Sequence, residues 1–250
     1  MRILHILDHS IPLHSGYTFR TLSILKAQRA LGWETFHLTS TKQGLANSLE
    51  ETIDDFHFYR TPSYKSVINE LPIFNQIAVI TSLTQRLNDV VEIVKPDILH
   101  AHSPVLNAIP TLHIGKKKGI PVVYEVRAFW EDAAVDHGTS NEWGLRYRLT
   151  RGLETYALKR ANAITTICEG LRNDIVNRGI SEHKVTTIPN AVDLTQFPLH
   201  HSVDHSLRLR LGLQNKRVIG FIGSFYAYEG LEILLRSLPS LLPLYPDLHL

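Results

Sequence analysis

The feature that most constrains the fold of this chain is a regular alternation of short strand-like runs with longer amphipathic segments. Runs such as "RILHIL" (2–7), "PVVYEV" (121–126) and "AITTI" (163–167) are rich in β-branched residues and are typical of strands. A segment between such runs, residues 16–32, has apolar residues near helical spacing and ends at Gly32. This alternation predicts βαβ units and an α/β fold, a doubly wound parallel sheet with helices on both faces.

The same pattern extends along the chain. Further strands are expected at "TFHLTS" (35–40), "FHFYR" (56–60), "DILHA" (97–101) and "KVTTIP" (184–189), and residues 41–55 are expected to be a loop. Further helices are expected near residues 74–94, 104–119, 144–161 and 169–178. Ligands of open parallel sheets bind beyond the carboxyl ends of the strands. Those ends carry Asp8, His100–Ser103, Glu125–Arg127 and Pro189–Asn190.

Composition excludes several classes of protein. The 250 residues are 44% apolar and 20% charged with a net charge of +2, so the chain reads as globular and we expect no nucleic-acid partner. The single cysteine, Cys168, excludes an internal disulfide. Because no apolar stretch approaches the roughly 20 residues that a bilayer span needs, we expect a soluble protein, or one bound at most to a membrane surface.

Two histidines in "PDILHAHSP" (96–104), His100 and His102, fall on the same face of a strand. They fit a metal pair, and they also fit a buried strand end that brings polar side chains to a crevice. The other histidines are scattered, and the sequence has no HExxH motif or Cys/His cluster. The pattern therefore favours crevice or surface residues over zinc ligands.

The chain divides into three parts. Residues 1–188 are expected to form one Rossmann-like domain, and residues 189–215 an interdomain linker that includes a short basic helix. Residues 216–250 restart the cycle with a strand, a glycine turn and a helix, as the start of a second Rossmann-like domain. Because one βα unit cannot bury both of its faces, we expect the sequence to be a fragment of a longer protein.

Several stretches, in order along the chain, resemble the retaining glycosyltransferases of family 4, which have the two-domain GT-B fold. They are "PLHSGYTFRTLSILKAQRALGWE", "PDILHAHSP", "IPVVYE", "YALKRANAITTICEGLRNDIVNRGI", "KVTTIPNAVDLTQF" and "VIGFIGSFYAYEGLEILL". Two stretches, "VYEVRAFWEDAAVDHGT" and "GSFYAYEG", are also similar to a bacterial exopolysaccharide subgroup associated with exosortase systems.

The resemblance implies transfer of a sugar, with retention, from a nucleotide-sugar donor to a saccharide or lipid-linked acceptor. It implies no cofactor and no catalytic metal, so it favours the interpretation that His100 and His102 line a crevice rather than bind a metal ion. The first domain would meet the acceptor and the second would hold the nucleotide, in the cytoplasm or peripherally at the inner membrane face. The 250 residues alone are expected to be inactive. Two alternatives stay open: a sugar-nucleotide epimerase of the same fold, and a non-catalytic nucleotide-sugar-binding scaffold.

Donor-binding candidates follow from the resemblance. Ser15 and Gly16 lie in "HSG" between the first strand and first helix, where helix N–H groups meet a phosphate, although the turn also reads as an ordinary β–α connection. Asn190 is a further candidate for donor binding. Its side chain could instead stabilise the turn that follows the strand. Gly223 and Ser224 complete the set. Family members often carry Arg and Lys where Ser224 and Glu229 stand, so donor binding would depend on backbone groups or on residues beyond Leu250.

The catalytic candidates are Arg127 and His102, the latter at the crevice rim. Arg127 stands where the family commonly has histidine, and it could bind a carboxylate or phosphate; its alternative is a surface ion pair with Glu131 or Asp132. Acceptor-binding candidates are Tyr17, Ser103, Glu125 and Trp130, and Phe129 is expected in the core.

Basic residues cluster at two places, "KKK" (116–118) and the segment with Arg146, Arg148, Arg151, Lys159 and Arg160. These groups could attract anionic lipid head groups in a peripheral membrane contact. A solvated charged face is the favoured reading of each.

Overall fold

The computed structural model describes residues 1–44, 48–62, 72–195, 197, 202–223 and 225–250. They form two compact units, Met1–Asn190 and Ala191–Leu250. The expected α/β fold is confirmed, with an eight-stranded, mostly parallel sheet in the first unit. No helix in these ranges is both long enough and apolar enough to cross a bilayer.

The sheet of the first unit has the order β3-β4-β2-β1-β5-β6-β7-β8. Its strands are β1 (Arg2–Leu7), β2 (Glu34–Thr39), β3 (Glu50–Ile53), β4 (Phe56–Arg60), β5 (Ile98–His102), β6 (Val122–Val126), β7 (Ala163–Thr166) and β8 (Val185–Thr187). All neighbouring pairs are parallel except β3 and β4, which form an antiparallel hairpin. The carboxyl ends of the seven parallel strands therefore share one edge of the sheet.

Strand β3 lies in the stretch expected to be a loop. Its turn to β4 is formed by Asp54 and Asp55, with φ of 48° and 63°, a left-handed conformation that aspartate tolerates better than most residues. Because β3 is an edge strand made mainly of polar residues, it has no apolar run that marks it in the sequence.

In the described part of the first unit, six helices connect these strands. They are α1 (Gly16–Ala30), α2 (Pro72–Val94), α3 (Val105–Lys118), α4 (Trp130–Asp136), α5 (Leu145–Arg160) and α6 (Glu169–Asn177). Helix α4 lies between β6 and the helix expected near residues 144–161, in a segment for which the sequence predicts no helix. It is seven residues long, too short to show a helical repeat in its sequence.

Alternation along β1 assigns the two faces of the sheet. Leu4 and Ile6 enter the larger apolar cluster, with residues of α2 and α3. His5 points the other way, and its Nε2 is 2.9 Å from Oε1 of Gln28 on α1. Leu7 shares that second face and packs against Leu25 of α1. Helix α1 and the pair α2 and α3 therefore cover opposite faces of the sheet.

The second unit contains α7 (His205–Arg210), β9 (Arg217–Val218), α8 (Leu231–Leu241) and β10 (Leu248–His249). Strands β9 and β10 pair in parallel, so together with α8 they form a strand–helix–strand element. Strand β9 is shorter than the apolar run "RVIGFIG" suggests. No residue of α8 is buried. The limits of the linker and of the second domain stay predictions.

Candidate functional site at the carboxyl edge of the sheet

A hydrogen-bonded chain of three side chains follows the end of β1. Nδ1 of His9 is 2.9 Å from Oδ2 of Asp8, and Nε2 of His9 is 2.7 Å from Oγ of Ser15. Because a carboxylate only accepts, Nδ1 of His9 carries a proton, and in the neutral ring Nε2 accepts from the Ser15 hydroxyl. Asp8 and His9 are each about one-fifth exposed. These three residues therefore present an accessible imidazole and hydroxyl at the carboxyl edge.

Ser15 also caps the N-terminus of helix α1. It is the N-cap residue, and its Oγ accepts a hydrogen bond from the backbone N–H of Thr18 at 3.1 Å. Gly16 is the first residue of the helix and is exposed, and a Cβ added there would meet no atom within 4 Å. Packing thus leaves the space beside Gly16 open, next to the positive end of the α1 dipole.

Asp8, His9, Ser15 and Gly16 form an accessible polar rim. Below this rim lies a buried ion pair between Glu125, at the end of β6, and Arg127. Oε1 of Glu125 accepts from Nε of Arg127 at 2.9 Å, with the residues only 2% and 7% exposed. Burial alone would raise the pKa of the Glu125 carboxyl. The neighbouring polar groups, among them the permanently charged Arg127 guanidinium, hold that pKa well below its usual range. The carboxyl group is therefore ionised at neutral pH.

Arg127 is fixed by further hydrogen bonds. Its Nη1 donates to the carbonyl of Tyr17 at 2.9 Å, and its Nη2 donates to Oγ1 of Thr21 at 2.9 Å and to Nδ1 of His102 at 2.7 Å. The guanidinium also lies over the ring of Tyr17, 4.8 Å from its centroid. Arg127 thus joins β6 to the first turns of α1 and holds that helix against the sheet.

Arg20 is a second arginine that binds Glu125, and it connects this carboxylate to the end of β8. Its Nε donates to Oε1 of Glu125 at 2.9 Å. Its Nη2 donates to the carbonyl of Ile188 at 2.9 Å, and its Nη1 donates to Oδ1 of Asn190 at 3.0 Å. One guanidinium therefore connects α1, β6 and the segment after β8, which brings Asn190 beside the other candidates.

Three buried histidines lie under these cations. Because an arginine only donates, Nδ1 of His102 is an acceptor, so its Nε2–H donates to Nδ1 of His5 at 3.0 Å. The Nε2–H of His5 then donates to Gln28. Burial lowers the pKa of both His5 and His102 well below the usual range, so both rings are neutral. The ring of His100 stacks on His102 at 4.3 Å between centroids.

Possible ligand atoms of His5, His100 and His102 lie within 4.8 Å of one another, a separation that a metal ion could bridge. The hydrogen bonds argue against that use, because each neutral imidazole has one lone pair. His102 gives its lone pair to Arg127, and His5 gives its lone pair to His102. A cation here would have to displace both bonds beside a permanently charged guanidinium. The absence of a metal at this edge stays a prediction.

The structure corrects several assignments. Arg127 is neither a surface residue nor paired with Glu131 or Asp132, since Glu131 pairs with Arg178 and Asp132 accepts from Tyr147. His102 is buried beneath the cluster rather than at its rim. Glu125 is enclosed by arginines, which leaves its carboxylate no surface for an acceptor. The polar groups of these three residues therefore contact other protein groups rather than an open surface.

The other acceptor candidates differ in access. Tyr17 is partly exposed, and its hydroxyl lies 3.3 Å from Oγ of Ser103. Ser103 itself is buried and accepts the N–H of Arg127. Trp130 starts α4 and is 43% exposed. Phe129 is buried as expected, with Arg178 stacked on its ring at 3.6 Å.

The donor candidates divide between the two units. Ser15 and Gly16 are on the accessible rim described above. Asn190 does not simply fix its own turn, because its side-chain oxygen accepts from Arg20. In the second unit, Gly223 is exposed, and Ser224 lies outside the described residues.

Sequence reasoning missed Arg20, His5 and His9. Arg20 lies one helical turn after Tyr17 and Gly16, so the face of α1 that contacts the sheet edge could have indicated it. His5 shares a strand face with Leu7 and lies directly opposite His100 in the register of β1 and β5. No spacing rule marks His9, because its role depends on the bend that brings Ser15 back beside it.

Fold and site together define the class of protein: a Rossmann-like α/β protein of the GT-B type, with polar groups gathered at the carboxyl edge of its first sheet. The profile of Glycosyltransferase Family 4 matches residues 15–196. The chain belongs to this family.

Individual relatives are more distant. The chain is 25% identical over 143 residues to WcaI of Escherichia coli (strain K12), a protein named for colanic acid biosynthesis and glycosyl transfer. That alignment covers 55% of this chain and 35% of WcaI. The chain thus spans about a third of this curated relative.

Solved structures show the fold. Sucrose-phosphate synthase (tll1590) from Thermosynechococcus elongatus superposes with a TM-score of 0.69 at 14% identity, over 95% of this chain and 59% of that one. Anabaena Alr3699/HepE in complex with UDP-glucose superposes with a TM-score of 0.64 at 17% identity, over 99% of this chain and 59% of that one. UDP-GlcNAc 2-epimerase from Neisseria meningitidis bound to UDP-GlcNAc superposes with a TM-score of 0.55 at 16% identity, over 99% of this chain and 64% of that one.

Proposed function

We propose that this chain is the acceptor-side part of a retaining glycosyltransferase that uses a nucleotide-sugar donor. Family membership supports sugar transfer, and the observation that carries the choice of site is the polar rim of Asp8, His9 and Ser15 beside the open N-terminus of α1. The structural likeness to HepE in complex with UDP-glucose supports a nucleotide sugar as donor. No cofactor and no metal are part of the proposal.

The proposed reaction is a front-face displacement. The acceptor oxygen forms a bond to the anomeric carbon on the side from which the diphosphate leaves, so the configuration is retained. The bond between that carbon and the phosphate oxygen breaks, and the acceptor hydroxyl proton passes to the leaving phosphate. Negative charge grows on the diphosphate, which N–H groups already in place would stabilise.

We assign roles by accessibility. Ser15 and Gly16 would meet the donor phosphates, while Tyr17 and Trp130 would stack on or hydrogen-bond the acceptor sugar. His9 would contact the acceptor hydroxyl. Arg127, Glu125 and His102 would act through these groups by fixing the start of α1. Asn190, Gly223 and Ser224 would complete the donor side.

The biological setting is a further part of the proposal. WcaI is named for colanic acid biosynthesis, and this supports a bacterial exopolysaccharide or cell-envelope glycan as the product. The stretches "VYEVRAFWEDAAVDHGT" and "GSFYAYEG" favour the exosortase-associated subgroup. The acceptor would be a saccharide or lipid-linked saccharide, met in the cytoplasm or peripherally at the inner membrane face.

Residues 1–188, 189–215 and 216–250 are proposed as the acceptor-side domain, the linker and the start of the nucleotide-sugar domain. Because the chain spans 59% of HepE and 35% of WcaI, we propose that the 250 residues alone do not transfer sugar. Detectable transfer by them would contradict this.

The test is sugar transfer by the protein expressed from the complete reading frame that contains this chain. It is incubated with labelled UDP-, GDP-, ADP- and dTDP-sugars and with lipid-linked saccharides, and the anomeric configuration of the product is read by NMR. Transfer with retention supports the proposal, and inversion contradicts the mechanism.

The second candidate, an epimerase, is favoured by the likeness to UDP-GlcNAc 2-epimerase. It predicts a new nucleotide sugar when the donor is incubated alone. A scaffold predicts that no nucleotide sugar raises the Tm and that no product forms.

A further inference from the structure

The outward face of α5 carries large apolar side chains that the fold leaves uncovered. Leu145 is 76% exposed and Leu149 is 66% exposed, and Tyr156 of the same helix is exposed as well. Trp143, two residues before the helix, is 57% exposed. Spacings of four and seven residues place Leu145, Leu149 and Tyr156 along one stripe. Apolar groups concentrated in this way usually mark a contact surface.

The same helix is strongly basic on its exposed side. Five cationic residues belong to it: Arg146, Arg148, Arg151, Lys159 and Arg160. Its one acidic residue, Glu154, is buried and accepts a hydrogen bond from the Tyr124 hydroxyl. The exposed acid nearest in sequence is Glu142, which precedes the helix. Cations therefore dominate the exposed surface of α5.

Cationic and aromatic side chains are stacked in pairs on this surface. The guanidinium of Arg160 lies 3.7 Å from the ring centroid of Tyr156, and that of Arg151 lies 5.6 Å from the ring of Trp143. Aromatic residues with arginine or lysine beside them are typical of the interface between lipid head groups and acyl chains. Nucleic-acid phosphates would use the cations but not the exposed leucines.

A cavity of about 930 Å³ adjoins the same surface. Tyr156 and Arg160 belong to its lining, together with Lys116 from the last turn of α3 and apolar residues such as Ile80 and Ile109. It lies at the amino ends of β6 and β7, opposite the candidate site, because Val122 and Asn162 line it. The basic surface thus continues from α5 to Lys116 at the end of α3, while Lys118 pairs with Glu92.

We propose that α5 and the end of α3 form a docking surface for a bilayer that contains anionic phospholipids. Arginine and lysine side chains bind the lipid phosphates, while Leu145, Leu149 and Trp143 enter the boundary between head groups and acyl chains. This names the surface for the peripheral contact suggested above and does not depend on sugar transfer.

The test is co-sedimentation of the 250-residue chain with vesicles of phosphatidylcholine alone and of phosphatidylcholine with 30% phosphatidylglycerol. We expect binding to the anionic vesicles, little to the neutral ones, and release as salt concentration rises. Trp143 fluorescence is expected to shift to the blue on binding, and this shift is lost in Trp143→Phe. Equal binding to both kinds of vesicle overturns the charge argument.

Variants separate the surface from general charge. Each cation near an anionic surface contributes about fivefold in affinity, so R148A/K159A is expected to bind about 25-fold more weakly. Leu145→Ser with Leu149→Ser is expected to weaken binding at least tenfold. The control K26A/K42A removes the same charge from exposed positions on α1 and after β2 and is expected to bind normally.

Circular dichroism checks that each variant is folded. Unchanged binding by the α5 variants, or equal loss in the control, overturns the proposal. Tighter binding to a 20-base-pair DNA duplex than to anionic vesicles in the same salt overturns it in favour of nucleic acid. Because no sugar or nucleotide enters the assay, these outcomes are independent of the proposed transferase activity.

Discussion

Arg20 and Glu125 are 105 residues apart in sequence, yet Nε of the arginine donates to Oε1 of the carboxylate at 2.9 Å. The same oxygen accepts from Arg127, so one buried carboxylate balances two guanidinium groups. Since Arg20 also binds the carbonyl of Ile188, this pair links the first helix of the fold to the ends of β6 and β8. The geometry of the carboxyl edge depends on it.

Replacing Glu125 by glutamine is expected to lower the free energy of unfolding by about 3–5 kcal/mol, because Arg127 then remains buried without its counter-charge. Urea unfolding followed by circular dichroism measures this. The control is Glu34→Gln, which removes an exposed partner 3.8 Å from Arg2 and is expected to change stability far less. Equal effects of the two changes would mean that the buried pair does not organise the edge.

His9→Ala is expected to reduce sugar transfer by the full-length protein 100-fold or more, because it removes the imidazole that joins Asp8 to Ser15 at the proposed site. The measurement is kcat and KM with the preferred donor. His14→Ala is the matched control, since His14 is exposed and contacts the ring of Phe19. Full activity in His9→Ala would remove this residue from the site.

The buried Glu154 predicts an unusual pH dependence of stability. Burial raises the pKa of its carboxyl to about 7, so the folded protein keeps a proton that the unfolded chain loses above its ordinary pKa of 4.5. The contribution of Glu154 to the free energy of unfolding is therefore complete below about pH 4.5 and is lost as the pH rises to about 7. It falls by at most about 1.4 kcal/mol per pH unit.

Glu154→Gln removes that dependence. Relative to the natural chain, the variant is expected to gain up to about 3 kcal/mol between pH 4.5 and 7, measured as the difference in unfolding free energy at each pH. Glu142→Gln, at an exposed position, should track the natural chain throughout. A constant difference for Glu154→Gln across this range would show that the carboxyl does not titrate there.

Gly115→Ala tests how closely α3 packs on the sheet. A Cβ at Gly115 would lie 2.5 Å from Cγ2 of Val122 and 2.9 Å from the carbonyl oxygen of Ile120. The substitution is expected to destabilise the protein by about 2–3 kcal/mol in thermal or urea unfolding. Gly152→Ala, where the added Cβ meets nothing within 4 Å, is expected to stabilise by up to about 1 kcal/mol.

The sheet could be predicted from sequence because its central strands are buried runs of β-branched residues. Strand β3 and helix α4 could not, since one is a polar edge strand and the other a single short helix. Ser15 and Gly16 could be named as candidate site residues from their place after β1, and Tyr17 from its aromatic side chain, which could stack on a sugar. The burial of Glu125 and Arg127 was not, because a charged residue can be buried only where distant partners neutralise it. The partner Arg20 lies on another element.

The most direct test of the proposed site is hydrogen–deuterium exchange of the full-length protein with the nucleotide sugar that raises its Tm most. If the carboxyl edge of the sheet binds the activated sugar, exchange slows in residues 8–20 and 125–130 when donor and acceptor are added. Slower exchange confined to residues 109–122 around the cavity, with residues 8–20 unchanged, would contradict the proposal.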